Sequence, residues 1–382
     1  MQPHYDYKTG NPYFLGMSRL LHELGISNSY FFLMLYDKDL IGVDPHNPNL
    51  SLEMQQKISV ECIRNFWYFF RECWRYPSES GAMSKFKLDI GSLATLYLQR
   101  MGFNTYTEKP RQTGKTIADL AHIARNFNFE SKNSKFGIYN YDDEKVKENL
   151  QRILLMLDSL PGYLRWHTLK SGTDKDGNFV ITDDGEAGKH ITTFVHKINK
   201  NSIVAKTCGQ SPASANKTGK GGTQPVQFWD EPGAINYIEL AFGSGFPAQS
   251  TAAANARLAN LPNYIGTSTT PPSMDTEHGK YLYKFFKEES LKFEPFMFDK
   301  SKDELKLILS KNAKRDFFFI TFQYFELGYD ENWVLEQRRK LSDYIFQRDV
   351  LLRWMKDYSK SPFTKAELDT LEHMIAKHSY KA

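Results

Sequence analysis

The chain of 382 residues predicts an α/β protein: a central, mainly parallel sheet flanked by helices, plus a helical accessory subdomain from the two terminal segments. Two patterns predict this. From about residue 85 to 280, short β-rich runs alternate with helical periodicity, as parallel strands joined by helical crossovers require. Residues 1–84 and most of 301–382 read as helical, which divides the chain into an N-terminal segment, a core over 85–300 and a C-terminal segment expected to pack with the first. A third observation, 28 Phe and 21 Tyr, supplies a well-filled aromatic core.

Composition bounds the function. Hydrophobic content of 41% and charged content of 25% are ordinary for a soluble globular protein. The net charge of +4 permits a nucleic-acid partner without requiring one. Cys62, Cys73 and Cys208 show no metal-type spacing and read as reduced thiols. The sequence shows neither a signal pattern nor an apolar run approaching the ~18 residues of a membrane span. An intracellular, soluble protein is expected.

Taken in order, Leu50-Ser51-Leu52-Glu53 opens a helix whose apolar positions Ile58, Cys62, Phe66, Phe69 and Phe70 share one face, and Pro77 to Gly81 breaks it. Phe103 to Glu108 alternates as a strand should. Ile117, Leu120, Ala121 and Ala124 then mark a helix. Phe136-Gly137-Ile138-Tyr139 is a second strand, followed by a helix with Val146, Leu150, Ile153, Leu154 and Leu157 on one face. Residues 168–190 are turn-rich. Asp174, Asp176 and Asn178 invite a calcium loop, but Phe179 and Gly185 stand where glycine and a bidentate Glu are needed, so a β-hairpin insertion is expected. Ser211 to Thr223 is glycine-rich and reads as a flexible loop. Val226 to Glu231, Ile265 to Thr269 and Phe317 to Ile320 are further strands, and helices run on to the C-terminus.

Between the first strand and its helix lies Lys109-Pro110-Arg111-Gln112-Thr113-Gly114-Lys115-Thr116. Its second half matches the phosphate-binding pattern G-x-x-x-x-G-K-[ST], while Lys109 stands in place of the first glycine. Strand, tight loop and helix aim free backbone N–H groups at an anion. In that pattern Lys115 reaches phosphates and Thr116 holds Mg²⁺. An apolar strand ending in Asp230-Glu231 fits the complementary half, with Asp230 on the metal and Glu231 polarising water. Ser268, Thr269 and Thr270 then end a strand in hydroxyls suited to sensing the γ-phosphate, before Pro271-Pro272.

These motifs, in this order, resemble the large terminase (DNA-packaging ATPase) subunits of tailed phages over roughly residues 85–350. Arg-Gln before Gly-Lys-Thr is the most family-specific part. Asp142-Asp143-Glu144, Leu160-Pro161-Gly162-Tyr163-Leu164, and Gly328 to Trp333 followed by Glu336 to Arg339 add to it. The resemblance implies a P-loop ATPase fold of the RecA-like (ASCE) kind that binds ATP and Mg²⁺, with Glu231, Arg111 and Lys115 catalytic. Arg111, Gln112, Thr113, Gly114, Lys115, Thr116 and Asp230 would bind the nucleotide, Thr116 and Asp230 the Mg²⁺, and Ser268, Thr269 and Thr270 would couple hydrolysis to movement. It also implies double-stranded DNA, a portal protein or procapsid, a small terminase subunit, a homo-oligomeric ring (a pentamer) and the host cytoplasm.

Three departures stand out. Lys220-Gly221 occupies the place of a trans-acting Arg-Gly, keeping the charge without the bidentate fork. An adenine-reading glutamine is not evident, Gln99 being the nearest. After Trp354, Lys356-Asp357, Lys365, Glu367 and Asp369 read as a solvated helix face, where the family continues into a nuclease. A motor whose nuclease is a separate chain or has been removed is expected. A helicase-like or DNA-remodelling P-loop ATPase shares the same core, and a nucleotide-binding structural module without turnover is the alternative of another class, which an intact Glu231 argues against.

Overall fold

The computed structural model describes residues 3–77, 83–166, 192–196, 198–220 and 222–356. The hairpin expected over 168–190, most of the break at Pro77 to Gly81, Gly221 and the helical tail beyond 356 lie outside the described residues.

Helices α1 (Pro12–Glu23) and α2 (Leu52–Arg64) open the chain, each capped by a side chain, Asn11 and Ser51 respectively. Then follow α3 (Ile90–Arg100), β1 (Asn104–Glu108), α4 (Lys115–Arg125), β2 (Lys135–Asn140) and α5 (Asp143–Asp158). The next elements are β3 (Thr193–Val195), β4 (Ser202–Thr207), β5 (Val226–Asp230), α6 (Ile238–Leu258) and β6 (Tyr264–Thr269). The chain continues through β7 (Leu291–Lys292), α7 (Lys302–Asn312), β8 (Phe317–Thr321), α8 (Glu331–Lys340) and α9 (Asp343–Asp349). No helix among the described residues is long and apolar enough to cross a membrane.

Eight strands form one sheet in the order β7-β8-β1-β6-β5-β2-β4-β3, parallel throughout except for the edge pair β3 and β4. The strand ending in Asp230 is therefore not the neighbour of the loop strand, because β6 lies between them. The sheet also extends past the expected 85–300 core, since β8 pairs directly with β1.

Alternation along the strands sorts the core. Phe318, Ile320, Val226 and Phe228 turn to one face, which α3, α4 and α5 cover and onto which the N-terminal aromatics Phe14, Phe66 and Phe70 also pack. Tyr106, Trp229, Phe317 and Phe319 turn to the other, against α6 and the helical stretch 277–288. Tyr106 stacks on Phe286 with centroids 3.7 Å apart, and Trp229 on Tyr139 at 4.3 Å. The N-terminal segment is fastened by Arg125, which donates to the Cys62 carbonyl (3.0 Å) and lies over the Phe66 ring, and by Asp299, which accepts from the Ser27 backbone at 2.9 Å. In the C-terminal segment, Val334 of α8, Phe346 of α9 and Val350 form a small cluster of their own.

One sequence expectation needs correction here. The glycine-rich stretch at 211 is not a flexible loop: Pro212–Ala215 is a short helix with a capping box, and Ser244 of α6 donates to the Thr218 carbonyl at 2.6 Å. Gln99, the glutamine nearest before the loop, lies in α3. It is buried, donates to Thr105 (2.9 Å) and Asp119 (2.5 Å), and meets His122 Nδ1 at 3.0 Å. Gly266 makes room for that network, since a Cβ there would stand 2.5 Å from Asp119 Oδ1.

Burial pushes the Asp119 carboxyl up to about 7, with the Gln99 hydrogen bond acting the other way. Between the ordinary carboxylate range and that value the native state keeps a proton that the unfolded chain releases, so this group's contribution to stability falls as pH rises through the window. Asp119→Asn removes the dependence. The variant is expected to match the parent near pH 4 and to exceed it at pH 8 by no more than about 4 kcal/mol, measured by urea unfolding at both pH values. An equal difference at both would contradict the assignment.

Candidate active site

Parallel strands end at one edge, and ligands of open α/β sheets bind outside that edge. Here the carboxyl ends of β1, β6, β5 and β2 deliver the phosphate-type loop, Thr269, Asp230 and Asn140 to one cavity of roughly 490 Å³. Among its lining residues are five basic side chains (Arg111, Lys115, Lys145, Arg152 and Arg348) against three acidic ones (Asp230, Glu231 and Asp349). That balance suits a polyanion.

The loop turns through two left-handed residues, Gln112 (φ 62°) and Gly114 (φ 76°). Only glycine takes such a φ without strain, and Gly114 occupies the N-cap of α4, where no side chain caps the helix. The uncapped N–H groups and the helix dipole are left to an anion. Thr113 is buried and donates to the Pro110 carbonyl at 2.6 Å, so its hydroxyl shapes the loop.

Lys115 Nζ lies 2.6 Å from Glu231 Oε1, and Thr269 Oγ1 is 2.8 Å from Glu231 Oε2. Glu231 itself is left-handed (φ 50°) and its N–H donates to the Ser268 carbonyl (2.9 Å), a sharp exit from β5 that swings the carboxylate into the cavity. Thr116 Oγ1 donates to Asp230 Oδ1 at 3.1 Å. Asp230 Oδ2 accepts from Asn140 (2.9 Å) and Asn149 (2.8 Å), and Asn149 accepts from Arg152 (3.2 Å). Burial and the neighbouring Glu231 raise the Asp230 carboxyl, while Asn149, Lys115 and Thr116 pull it back. An oxygen-only donor pair, hydroxyl and carboxylate, with a carboxyl that a cation would return to its charged form, fits Mg²⁺. Among the described residues no group of three or more His, Cys, Asp or Glu makes a separate metal cluster.

Other expected residues fall at different places. Arg111 lines the cavity and is tied to α9: its N–H donates to the Asp349 carbonyl (2.8 Å) and its guanidinium to Asp349 Oδ2 (3.3 Å). Thr270 lines the cavity, whereas Ser268 is buried away from it, its hydroxyl without a partner among the described residues. Lys220 is exposed and does not line it. Lys109, in the place of the first glycine, stands at the root of the loop. It is buried, with Nζ 2.8 Å and 2.9 Å from the two Asp89 oxygens and 3.1 Å from Ser92, so it anchors the base of the loop to the start of α3.

Asn140, Asn149 and Asp349 were not singled out from sequence. Asn149 carried a signal: it sits three residues after Val146 and one before Leu150, a polar side chain on an apolar face. On the far side of the loop a second cavity, about 420 Å³, is walled by Trp74, Tyr76, Phe86 and Tyr329 and reaches Gln112, Thr113 and Gly114. Lys87 lies over the Tyr329 ring at 4.2 Å.

In structure the chain is similar to phage large terminases. It resembles the large terminase ATPase domain of Thermus phage P74-26 (12% identity, TM-score 0.43, 73% of this chain and 99% of that one). It also resembles the large terminase of the thermophilic bacteriophage D6E in complex with ADP (14%, TM-score 0.41, 70% and 54%) and that of bacteriophage HK97 (12%, TM-score 0.46, 77% and 54%). The chain thus spans about half the length of the last two. No protein-family model and no curated protein matches it.

The Lys109 geometry is directly testable. Lys109→Ala leaves the Asp89 charge buried without its partner, and is expected to cost about 3–5 kcal/mol of stability in denaturant unfolding without ligand. A phosphate-contacting, solvated lysine would instead leave that stability unchanged.

Proposed function

We propose that this chain is a Mg²⁺-dependent ATPase, the motor of a large terminase that translocates double-stranded viral DNA into a procapsid. One observation carries the hydrolytic reading: Lys115 and Glu231 face each other at 2.6 Å beside an uncapped helix N-terminus, with Thr116 and Asp230 adjacent. The loop Arg111-Gln112-Thr113-Gly114-Lys115-Thr116 and the ending Thr269-Thr270-Pro271 support the packaging reading through their resemblance to terminases.

The triphosphate lies along the loop, its charge met by the N–H groups of α4 and by Lys115. A phosphate that takes Lys115 frees Glu231, which then accepts the proton of a water attacking the γ-phosphorus as ADP departs. Thr269 holds the second Glu231 oxygen and orients the base. Thr116 and Asp230 would hold Mg²⁺, which would supply charge neutralisation for the phosphates. Arg111, Arg152 and Arg348 line the same cavity and offer cations in cis, while exposed Lys220 is free to meet a neighbouring subunit's site. The aromatic cavity beyond Gly114 takes the base by stacking, in place of a glutamine reader. Ring assembly, portal, small terminase subunit, a nuclease in trans and the host cytoplasm belong to the same reading.

Glu231→Gln is expected to bind ATP with Mg²⁺ nearly as the parent does while losing turnover by roughly 10²–10⁴-fold. Lys115→Ala should lose binding itself. Calorimetry and a phosphate-release assay separate the two, and unchanged turnover in Glu231→Gln would refute the assigned role. Stimulation of turnover by procapsid supports packaging, whereas separation of duplex strands would favour a helicase.

A further inference from the structure

Glu108, the last residue of β1, plays no part in the chemistry above, yet its position is unusual. It shares its sheet face with Tyr106 on the aromatic side, and its carboxyl is fully buried. Among the described residues neither of its oxygens has a hydrogen-bond partner of good geometry. In register it stands between Thr269 of β6 and Thr321 of β8. One step along that row, Thr269 holds Glu231.

A second buried group without a partner belongs to the C-terminal segment. Among the described residues the Trp354 indole N–H has no hydrogen-bond partner of good geometry, although the Trp354 ring packs edge-on against Tyr283 at 5.4 Å. The same segment is tied to the chain just after Thr270-Pro271-Pro272, where the Met274 N–H donates to the Met355 carbonyl at 3.0 Å. An indole N–H only donates and a carboxylate only accepts. Each costs free energy when buried unpaired, and each can satisfy the other. Trp354 and Thr321 are the neighbours whose polar hydrogens favour a charged Glu108, along with the cations of Lys287 and Lys115.

We propose that Glu108 is a positioning residue that couples the phosphate end of the site to the C-terminal segment through Trp354. The segment has two arrangements, with the indole bonded to Glu108 or not, and occupancy of Lys115 by phosphate biases them by removing a cation's pull on Glu108. Burial pushes the Glu108 carboxyl up to about 8, so a modest change in nearby charge alters its state. The inference rests on the nucleotide reading of the Lys115 site.

The test is amide hydrogen exchange over residues 346–356 of the intact chain with Mg²⁺ and either ADP or ATPγS, in the parent, Glu108→Gln and Trp354→Phe. The parent is expected to exchange at rates differing by at least about threefold between the two nucleotides. Both variants should lose that difference while their nucleotide affinities stay within about twofold, and kcat should fall with little change in KM. The double variant should lose no more kcat than the worse single variant, as a shared pathway requires. Trp354→Phe keeps the ring on Tyr283 and serves should Glu108→Gln fold poorly. A parental exchange difference in either variant, or multiplying losses in kcat, overturns the proposal while leaving the hydrolytic reading intact. Absence of nucleotide binding by the parent removes both.

Discussion

A lysine ammonium only 10% exposed, at the mouth of a helix N-terminus, needs an anion beside it, and in this chain Glu231 is that anion. Their distance depends on the parallel sheet. Lys115 follows β1 and Glu231 follows β5, two strands apart, and both strands end at one level because β6 pairs in register with each. Thr269, at the end of the intervening β6, then binds the carboxylate from beside it. A negatively charged ligand therefore does not enter an indifferent cleft. In the proposed reading it competes with Glu231 for Lys115, and its arrival frees that carboxylate to act as the base.

Around this pair, Asp230, Arg111 and Lys109 are each held by another element. Asp230 is gripped by an amide from β2 and one from α5, and Arg152 steadies the latter. Arg111 reaches α9, from a distant part of the chain, through both backbone and side chain. The base of the loop is pinned by the buried Lys109 and Asp89 pair. Removing one member of such a pair is costly because the other charge remains without water. The loop is accordingly stiff at its root and open at its tip, where Gly114 turns the backbone N–H groups outward.

Much of this was legible in the sequence because the signals are local. Periodicity located the strands before and after the loop, and the spacing of Gly114, Lys115 and Thr116 needs no tertiary information. The pair Asp230-Glu231 is likewise read from a strand ending in acids. Strand order was not legible: nothing in the sequence of β6 says that it inserts between β1 and β5, since pairing is decided by the whole sheet. The part played by Lys109 was hidden for a related reason. A lysine in a phosphate-type loop looks solvated until the N-cap Asp89 is brought beneath it by the fold. Asp349 and Glu108 were silent because their meaning lies in neighbours distant in sequence, Arg111 for the one and Trp354 and Thr321 for the other.

The most direct measurement is a crystal structure of the chain with Mg²⁺ and ATPγS. The account predicts that Lys115 leaves Glu231 for the terminal phosphates, that Thr116 and Asp230 share the metal, and that the freed Glu231 carboxylate, still held by Thr269, faces a water in line with the γ-phosphorus. A nucleotide bound elsewhere, or one that leaves the Lys115 and Glu231 pair closed, would contradict it.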